Sequence, residues 1–451
     1  MIGLLLKMVA CQALSQISVD KNRIQVYKEN PQYWQHKSEP VLLLGGSVED
    51  NLFQIPDIKE HLDLLRSVGG NYVRCTMSCR DEGNIWQFNE VEGLYNLDQW
   101  NEEFWQRFNN FLRLTAERDI IVQIEVWATF DYYRLNWDIN PFNPKNNVNY
   151  TFEQTNLPEV VDSHPTQTEN NFFWSVPAEN NQRIVLEYQE KFVDQILFYS
   201  LKFDHVLYCI DNETSVTPEW GKFWAEYIQA KANDAEVNVE TTEMWDSHNL
   251  FHTQHQNTLD HPELYSFCDA SQNNHQRGQK HWDNAQEFRA QLNPVRPINS
   301  VKIYGSDQYH FGDDQDGLER FWRNVFGGMA SARFHRPPSG LGLGPLACRH
   351  LKSMRMLTDN IRIFSCQPNN HLLSNRRENQ AYALANIGKE VVVYFPESGT
   401  IDIDLSLFDA DLTLQWLDIN QSEWLNQMSV HGGKVVALTT PSQGHWAVLI
   451  R

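Results

Sequence analysis

The residues best suited to chemistry are Asn212 and Glu213. They close the stretch Val206-Leu207-Tyr208-Cys209-Ile210-Asp211-Asn212-Glu213-Thr214. The first half of this stretch is apolar at nearly every position, as a strand covered on both faces must be. A carboxylate set beside an amide where such a strand ends can give or take a proton. The plainer reading makes Glu213 a loop carboxylate next to the helix expected at 218–232, with Thr217 as its N-cap and Pro218 at its first position. A carboxyl that protonates a leaving oxygen needs a second group that attacks or activates water, and a second carboxylate can serve. For the second, Glu243 is the first choice, then Asp246, then Asp269; Glu125 and Asp131 lie at the end of another strand. Each also has a structural reading, since acids at strand ends cap helices and hold loops. Glu243, Asp246 and His248 could together hold a metal, although metal hydrolases group their histidines more tightly. The reading therefore takes no metal and no cofactor.

Basic residues fall at the same expected rim. They are Arg74, Lys302, Arg333, His335 and Arg336. Arginine binds carboxylate or sulfate in a bidentate fashion, so the ring suggests an anionic or heavily hydroxylated sugar. Pairing of each cation with a neighbouring acid is the alternative. Trp127, Trp245, Tyr304 and Tyr309 are the rim aromatics placed to stack on sugar faces. The chain's 15 Trp, 16 Tyr and 24 Phe fit a carbohydrate partner, although most must fill the core. A net charge of −21 leaves no basic stripe for nucleic acid.

The elements that would position these groups alternate strand and helix. Strands are expected near 40–44, 71–76, 120–127, 206–211, 237–242, 264–268, 297–303 and 329–334. Helices are expected near 55–68, 97–118, 218–232, 316–326 and 345–357. This is the pattern of a (β/α)8 TIM barrel, an α/β fold whose active sites gather at the C-terminal ends of the strands. Gly45-Gly46 is not the phosphate-binding turn that a doubly wound sheet would show. Weak alternation before residue 40 suggests a small N-terminal β cap. After about 360 the helical period stops, and short runs separated by turns predict an all-β sandwich. The expected parts are 1–39, 40–360 and 361–451. The stretch 128–177 is too long for a connector and reads as a substrate-binding loop on the catalytic face.

The 451 residues, 41% hydrophobic and 21% charged, have a globular composition. No stretch is long and apolar enough to span a membrane. The first eleven residues read as the tail of a secretion signal, with Met8-Val9-Ala10-Cys11 like a lipoprotein cleavage site, though no charged region precedes them. They suggest a periplasmic, lipid-anchored or secreted protein. Seven cysteines without zinc spacing read as mostly buried thiols.

The order of features resembles clan A glycoside hydrolases, whose barrels carry an Asn-Glu pair at the end of strand four. Asn212-Glu213 matches that pair. The three-part layout and the segments NPQYWQHKSEPVLLLGGS, YVRCTMS and DGLERFWRNVFGGMASARFHRP are similar to the apiosidase-like group. The resemblance implies a hydrolase of polysaccharides or their oligosaccharides, with Glu213 as general acid/base and Asn212 positioning it or the substrate. It also implies a nucleophilic Glu at the end of strand seven. Here that stretch, Pro297 to Gly305, holds no carboxylate, and Lys302 stands about where the Glu belongs. The alternative function is therefore a non-catalytic, carbohydrate-binding pseudo-glycosidase.

Overall fold

The computed structural model describes residues 21–164, 170–308, 310–408 and 411–451. The leader-like N-terminus and Tyr309 lie outside them. Three short strands come first: β1 (Gln25–Val26), β2 (Trp34–His36) and β3 (Glu39–Val41), an antiparallel sheet. The apolar run expected to be a single strand at 40–44 is thus split. Its start pairs with β2, and its end forms β4 (Leu43–Gly46), which belongs to the barrel.

The barrel strands that follow are β5 (Tyr72–Thr76), β8 (Ile121–Ala128), β9 (Val206–Thr214), β10 (Thr241–Trp245), β11 (Cys268–Asp269), β12 (Ile298–Asn299) and β13 (Ser331–Phe334). A hairpin of β6 (Phe88–Val91) and β7 (Leu94–Trp100) stands between β5 and β8. Six strands form one parallel sheet in the order β10-β9-β8-β5-β4-β13, and β11 and β12 form a separate parallel pair. Backbone bonds from Ala330 N to Ile298 O (2.8 Å) and from Ile303 N to Arg333 O (3.0 Å) join β12 to β13. The seam between β10 and β11 is closed through side chains, with Thr242 Oγ1 donating to Phe267 O (2.7 Å) and Ser266 Oγ accepting from Thr241 N (3.2 Å). Eight parallel strands therefore follow one another in chain order around a ring.

Several boundaries differ from the sequence reading; strands six and seven shrink to Cys268–Asp269 and Ile298–Asn299, and two further shifts bear on the site. The second helix begins at Glu102, because Asn101 caps it by accepting from Glu103 N, and the residues just before are strand β7. Strand five is expected at 237–242 but runs Thr241–Trp245, because Val237 N still bonds back to Ala232 O in the turn after the preceding helix. That helix, Pro218–Asp234, starts with proline as expected, but Thr217 makes no side-chain cap bond.

The lower end of the barrel is plugged. Trp34 donates its indole N–H to Asn299 Oδ1 (3.0 Å) and packs edge-on against Phe267. Asn299 Nδ2 in turn donates to Tyr72 OH and Gln123 Oε1, and Tyr72 OH donates to Gln123 Oε1 (2.6 Å).

After the last barrel helix, Pro345–Thr358, the chain forms antiparallel sheets of seven and three strands. Between them lies a separate apolar cluster that includes Val393, Phe395, Ile401, Ile403, Phe408 and Trp416. The helix Asp314–Phe326 meets this region, with Trp322 stacked on Tyr394 and Arg323 bonded to Asn379. The described cysteines are free, and all but Cys348 are fully buried. Among the described residues no helix is long and apolar enough to cross a membrane.

Candidate active site

Glu213 sits in β9 with φ +65°, the left-handed region. A non-glycine residue there stores about 1–3 kcal/mol, a cost that surrounding structure must hold in place. Its Oε1 receives Lys302 Nζ at 2.5 Å, Tyr304 OH at 3.3 Å and Gln272 Nε2 at 3.4 Å. Lys302 also donates to Asn212 Oδ1 (3.2 Å), and Arg74 Nη2 reaches the same oxygen (3.3 Å). Arg74 is fully buried and is matched by Glu125 (3.1 Å) and Asp50 (3.4 Å).

These groups face a cavity of about 930 Å³ at the C-terminal ends of the strands. The long insertion after β8 supplies Phe130, Tyr133, Asn136 and His164 to its wall, in keeping with a loop that meets a ligand. Phe311 stacks on Tyr304 (4.1 Å between centroids), and His248 lies flat on His275 (3.5 Å). Asp246, one residue beyond β10, faces the cavity from beside β9; its amide bonds to Thr214 O.

The two cavity carboxyls on β9 and after β10 are driven apart electrostatically. Burial would raise Glu213, but the Lys302 charge and its hydrogen bond outweigh it and bring the carboxyl down to about 2. Asp246 is raised above its ordinary value, first by burial and then by the negative charge on Glu213. His164 Nε2 lies 3.9 Å from Asp246, and its Nδ1 lies 3.0 Å from Ser215 Oγ. Burial also holds His275 down, to about 3.

Of the residues singled out from sequence, the cavity gathers Glu213, Asp246, Asn212, Arg74, His248, Lys302, Tyr304, His335 and Arg336. Glu243 is not among them. With strand five starting four residues later than expected, Glu243 lies inside it and points outward, to Thr214 Oγ1 and the helix Pro218–Asp234. Trp245 shares that parity and donates its indole N–H to Thr258. Asp246 therefore does not converge with Glu243, and the metal cluster considered from sequence is not assembled. Among the described residues no group of three or more such side chains is placed to hold a metal.

Asp269 is buried and accepts from Ser271 N (2.8 Å). Glu125 lies fully buried against Arg74, and burial pushes it up to about 7 despite that arginine. Trp127 packs among Trp220, Trp224, Phe172 and Phe192, away from the cavity. Arg333 donates to Val301 O and Ser47 Oγ inside the barrel.

The basic ring is neutralised. Arg336 pairs with Glu49, Asp50 and Asp81, Arg80 with Asp50 and Asp131, and Lys302 with Glu213. Asp50 is the hub. Burial would raise it, but Arg74, His335, Arg336 and Arg80 hold it far below the usual range. The argument for an anionic sugar therefore loses its footing. Asp50, Arg80 and Asp81 escaped the sequence reading because they lie on loops after β4 and β5, where no periodicity marks them. His164, His275, His310 and Phe311 lie on connections after later strands, which carry no periodicity either.

The architecture is shared with known sugar-cleaving enzymes. A glycoside hydrolase family 5 protein from Bacteroides vulgatus ATCC 8482 superposes with a TM-score of 0.67 at 13% identity, over 95% of this chain and 94% of its own. A second glycoside hydrolase matches at 0.65 and 12%, over 95% and 97%. A family 5 mannosidase from Rhizomucor miehei matches at 0.52 and 11%, over 74% and 97%. At such identities the likeness speaks for the fold. No family model matches the sequence, and no curated protein does.

Proposed function

We propose that the protein is a glycoside hydrolase that cleaves O-glycosidic bonds in a neutral oligosaccharide or polysaccharide. The observation that carries this reading is the pair Glu213 and Asp246, facing one cavity with their carboxyl pKa values pushed in opposite directions. Glycosidic cleavage needs that division of labour, and environments that separate two carboxyl pKa values assign the roles. Asp246, the carboxyl whose pKa is raised, gives a proton to the departing oxygen. Glu213, ionised beside Lys302, attacks the anomeric carbon or takes a proton from the water that does. This reverses the role read for Glu213 from the strand-four resemblance, and Asp246 replaces Glu243 as its partner. Asn212, bonded to Arg74 and Lys302, holds Glu213's neighbourhood in place. The aromatic wall of Tyr304 and Phe311 offers a face for a sugar ring. Kinship with clan A, and within it with the apiosidase-like group, fits the barrel-plus-β layout and the mannosidase among the structural neighbours makes mannosides a sensible first panel.

The test compares aryl glycosides carrying a good leaving group with unactivated oligosaccharides. Asp246→Asn should lose turnover on the oligosaccharides but retain much of it on the activated glycosides, which need no proton donor. Glu213→Gln should lose both. Full activity of Glu213→Gln on oligosaccharides would end the assignment.

The ion pair between Lys302 and Glu213 favours a second reading, a barrel that binds sugar without cutting it. In that case calorimetry would show saturable oligosaccharide binding, with no reducing ends released at high protein concentration.

A further inference from the structure

Two buried acids that take no part in the proposed chemistry flank Glu213 on the far side of its strand. Asp211, two residues before it, accepts both the amide N–H (2.9 Å) and the hydroxyl (2.7 Å) of Thr129, where the long insertion leaves β8. Thr214, one residue after it, donates its hydroxyl to Glu243 Oε1 on β10. Both acids are completely buried. Glu243 Oε2 has no hydrogen-bond partner and presses on Gly221 of the helix Pro218–Asp234, where a Cβ would come within 2.2 Å of it. The helix thus has glycine at the one point where the carboxyl must fit.

Between these two anchors stands the left-handed backbone of Glu213. Such a conformation persists only where neighbours over-determine it. Asp211, tied to the start of the long insertion at Thr129, and Thr214, tied to Glu243 on β10, are that over-determination. We infer that Asp211 and Glu243 are positioning residues, a pair of buried carboxyl clamps that fix the turned backbone of Glu213 and so hold its carboxylate on Lys302. Burial favours the neutral form of both acids: Asp211 is pushed up to about 8, and Glu243 is raised well above its ordinary value, with Asp211 adding to the effect. A neutral carboxyl is the form that can sit against an apolar helix face without a counter-charge.

The inference rests on Glu213 being the group that reacts, and its test reads Glu213 directly. The ionisation of the Glu213 carboxyl is followed by carbon-13 NMR across the acid range, with the fold checked by near-UV circular dichroism. Glu243→Gln, which can still accept from Thr214, should leave Glu213 as in the wild type. Glu243→Leu and Gly221→Ala should raise its pKa toward the ordinary range, a change of at least about tenfold in the ionisation constant, or roughly one pKa unit. Should Glu243→Leu fail to fold, Thr214→Val removes the same bond from its other end and is held to the same outcome. Folded Gly221→Ala and Thr214→Val proteins with a wild-type Glu213 titration would overturn the clamp. A wild-type protein that cleaves no sugar would sink the glycosidase reading and leave the titration result standing, so the two failures are distinguishable.

Discussion

The two ends of the barrel are built from different chemistry. The lower end is closed by neutral partners, Trp34, Asn299, Tyr72 and Gln123, each bonded to another. The upper end is a ring of charges around a cavity, in which Lys302 pairs with Glu213 and Arg74 with Asp50, and both carboxyls are held well below their ordinary range. Neutral hydrogen bonds inside an apolar core add stability without tying it to pH. Buried charges cost desolvation energy that their partners must offset, and they do so only in one protonation state. The lower end therefore looks built for stability and the upper end for reactivity, and each can be perturbed separately.

The largest effect should come from the upper end. Glu213→Gln should lower turnover by roughly 10³-fold, measured as oligosaccharide cleavage per folded molecule. A smaller loss than that of an upper-rim control such as Asn136→Ala would break the comparison. At the lower end, Trp34→Ala should cost about 3–5 kcal/mol of stability in denaturant titration, while turnover of the remaining folded protein changes little. A large drop in turnover there would show that the two ends are coupled.

Lys302→Met sharpens the comparison further. It removes the cation that holds Glu213 ionised, so the acidic limb of the pH–rate profile should move upward by a unit or more, roughly tenfold or greater in proton concentration. In the wild type, the depressed Glu213 pKa stabilises the fold above the ordinary carboxylate range, and that contribution is lost as pH falls toward about 2. The smallest effect belongs to Glu125, which burial raises from 4.5 to about 7. For an acid raised in this way stability is greatest below its ordinary value and is lost as pH rises to the folded value. Glu125→Gln should remove that loss. Its melting temperature relative to wild type should therefore rise by on the order of a few °C between those two pH values and level off above them. A difference that stays flat with pH would mean that Glu125 remains ionised throughout.

Much of this arrangement was legible from residue order. The apolar runs of β8 and β9 are buried along almost their whole length and could be seen as covered strands. Asn212-Glu213 could be placed at the end of one because the run breaks there into polar residues. Glu243 could not be placed, because the side of the strand on which a residue falls depends on where the strand starts. The segment 237–240 has the composition of a strand but is spent as a connector. A strand expected to end at 242 leaves Glu243 at the rim, but the strand runs on to Trp245, so Glu243 falls within it on the outward side and Asp246 stands at its end, facing the cavity. Lys302 was seen as an anomaly of strand seven. That it holds Glu213 ionised depends on a contact across 89 residues of chain, which no local pattern carries.

The seam between β10 and β11 has a mechanical consequence. β10 is joined to β9 by a backbone ladder and to β11 through threonine and serine side chains. A ladder resists shear because many bonds must break together, whereas single side-chain bonds can swing. Asp246 is carried just past the end of the strand with this compliant edge, and Glu213 on the neighbour held by ladders on both sides. Because the Asp246 amide also bonds to Thr214 O on β9, a load on the rim would open the seam between β10 and β11 while the backbones of Asp246 and Glu213 move together.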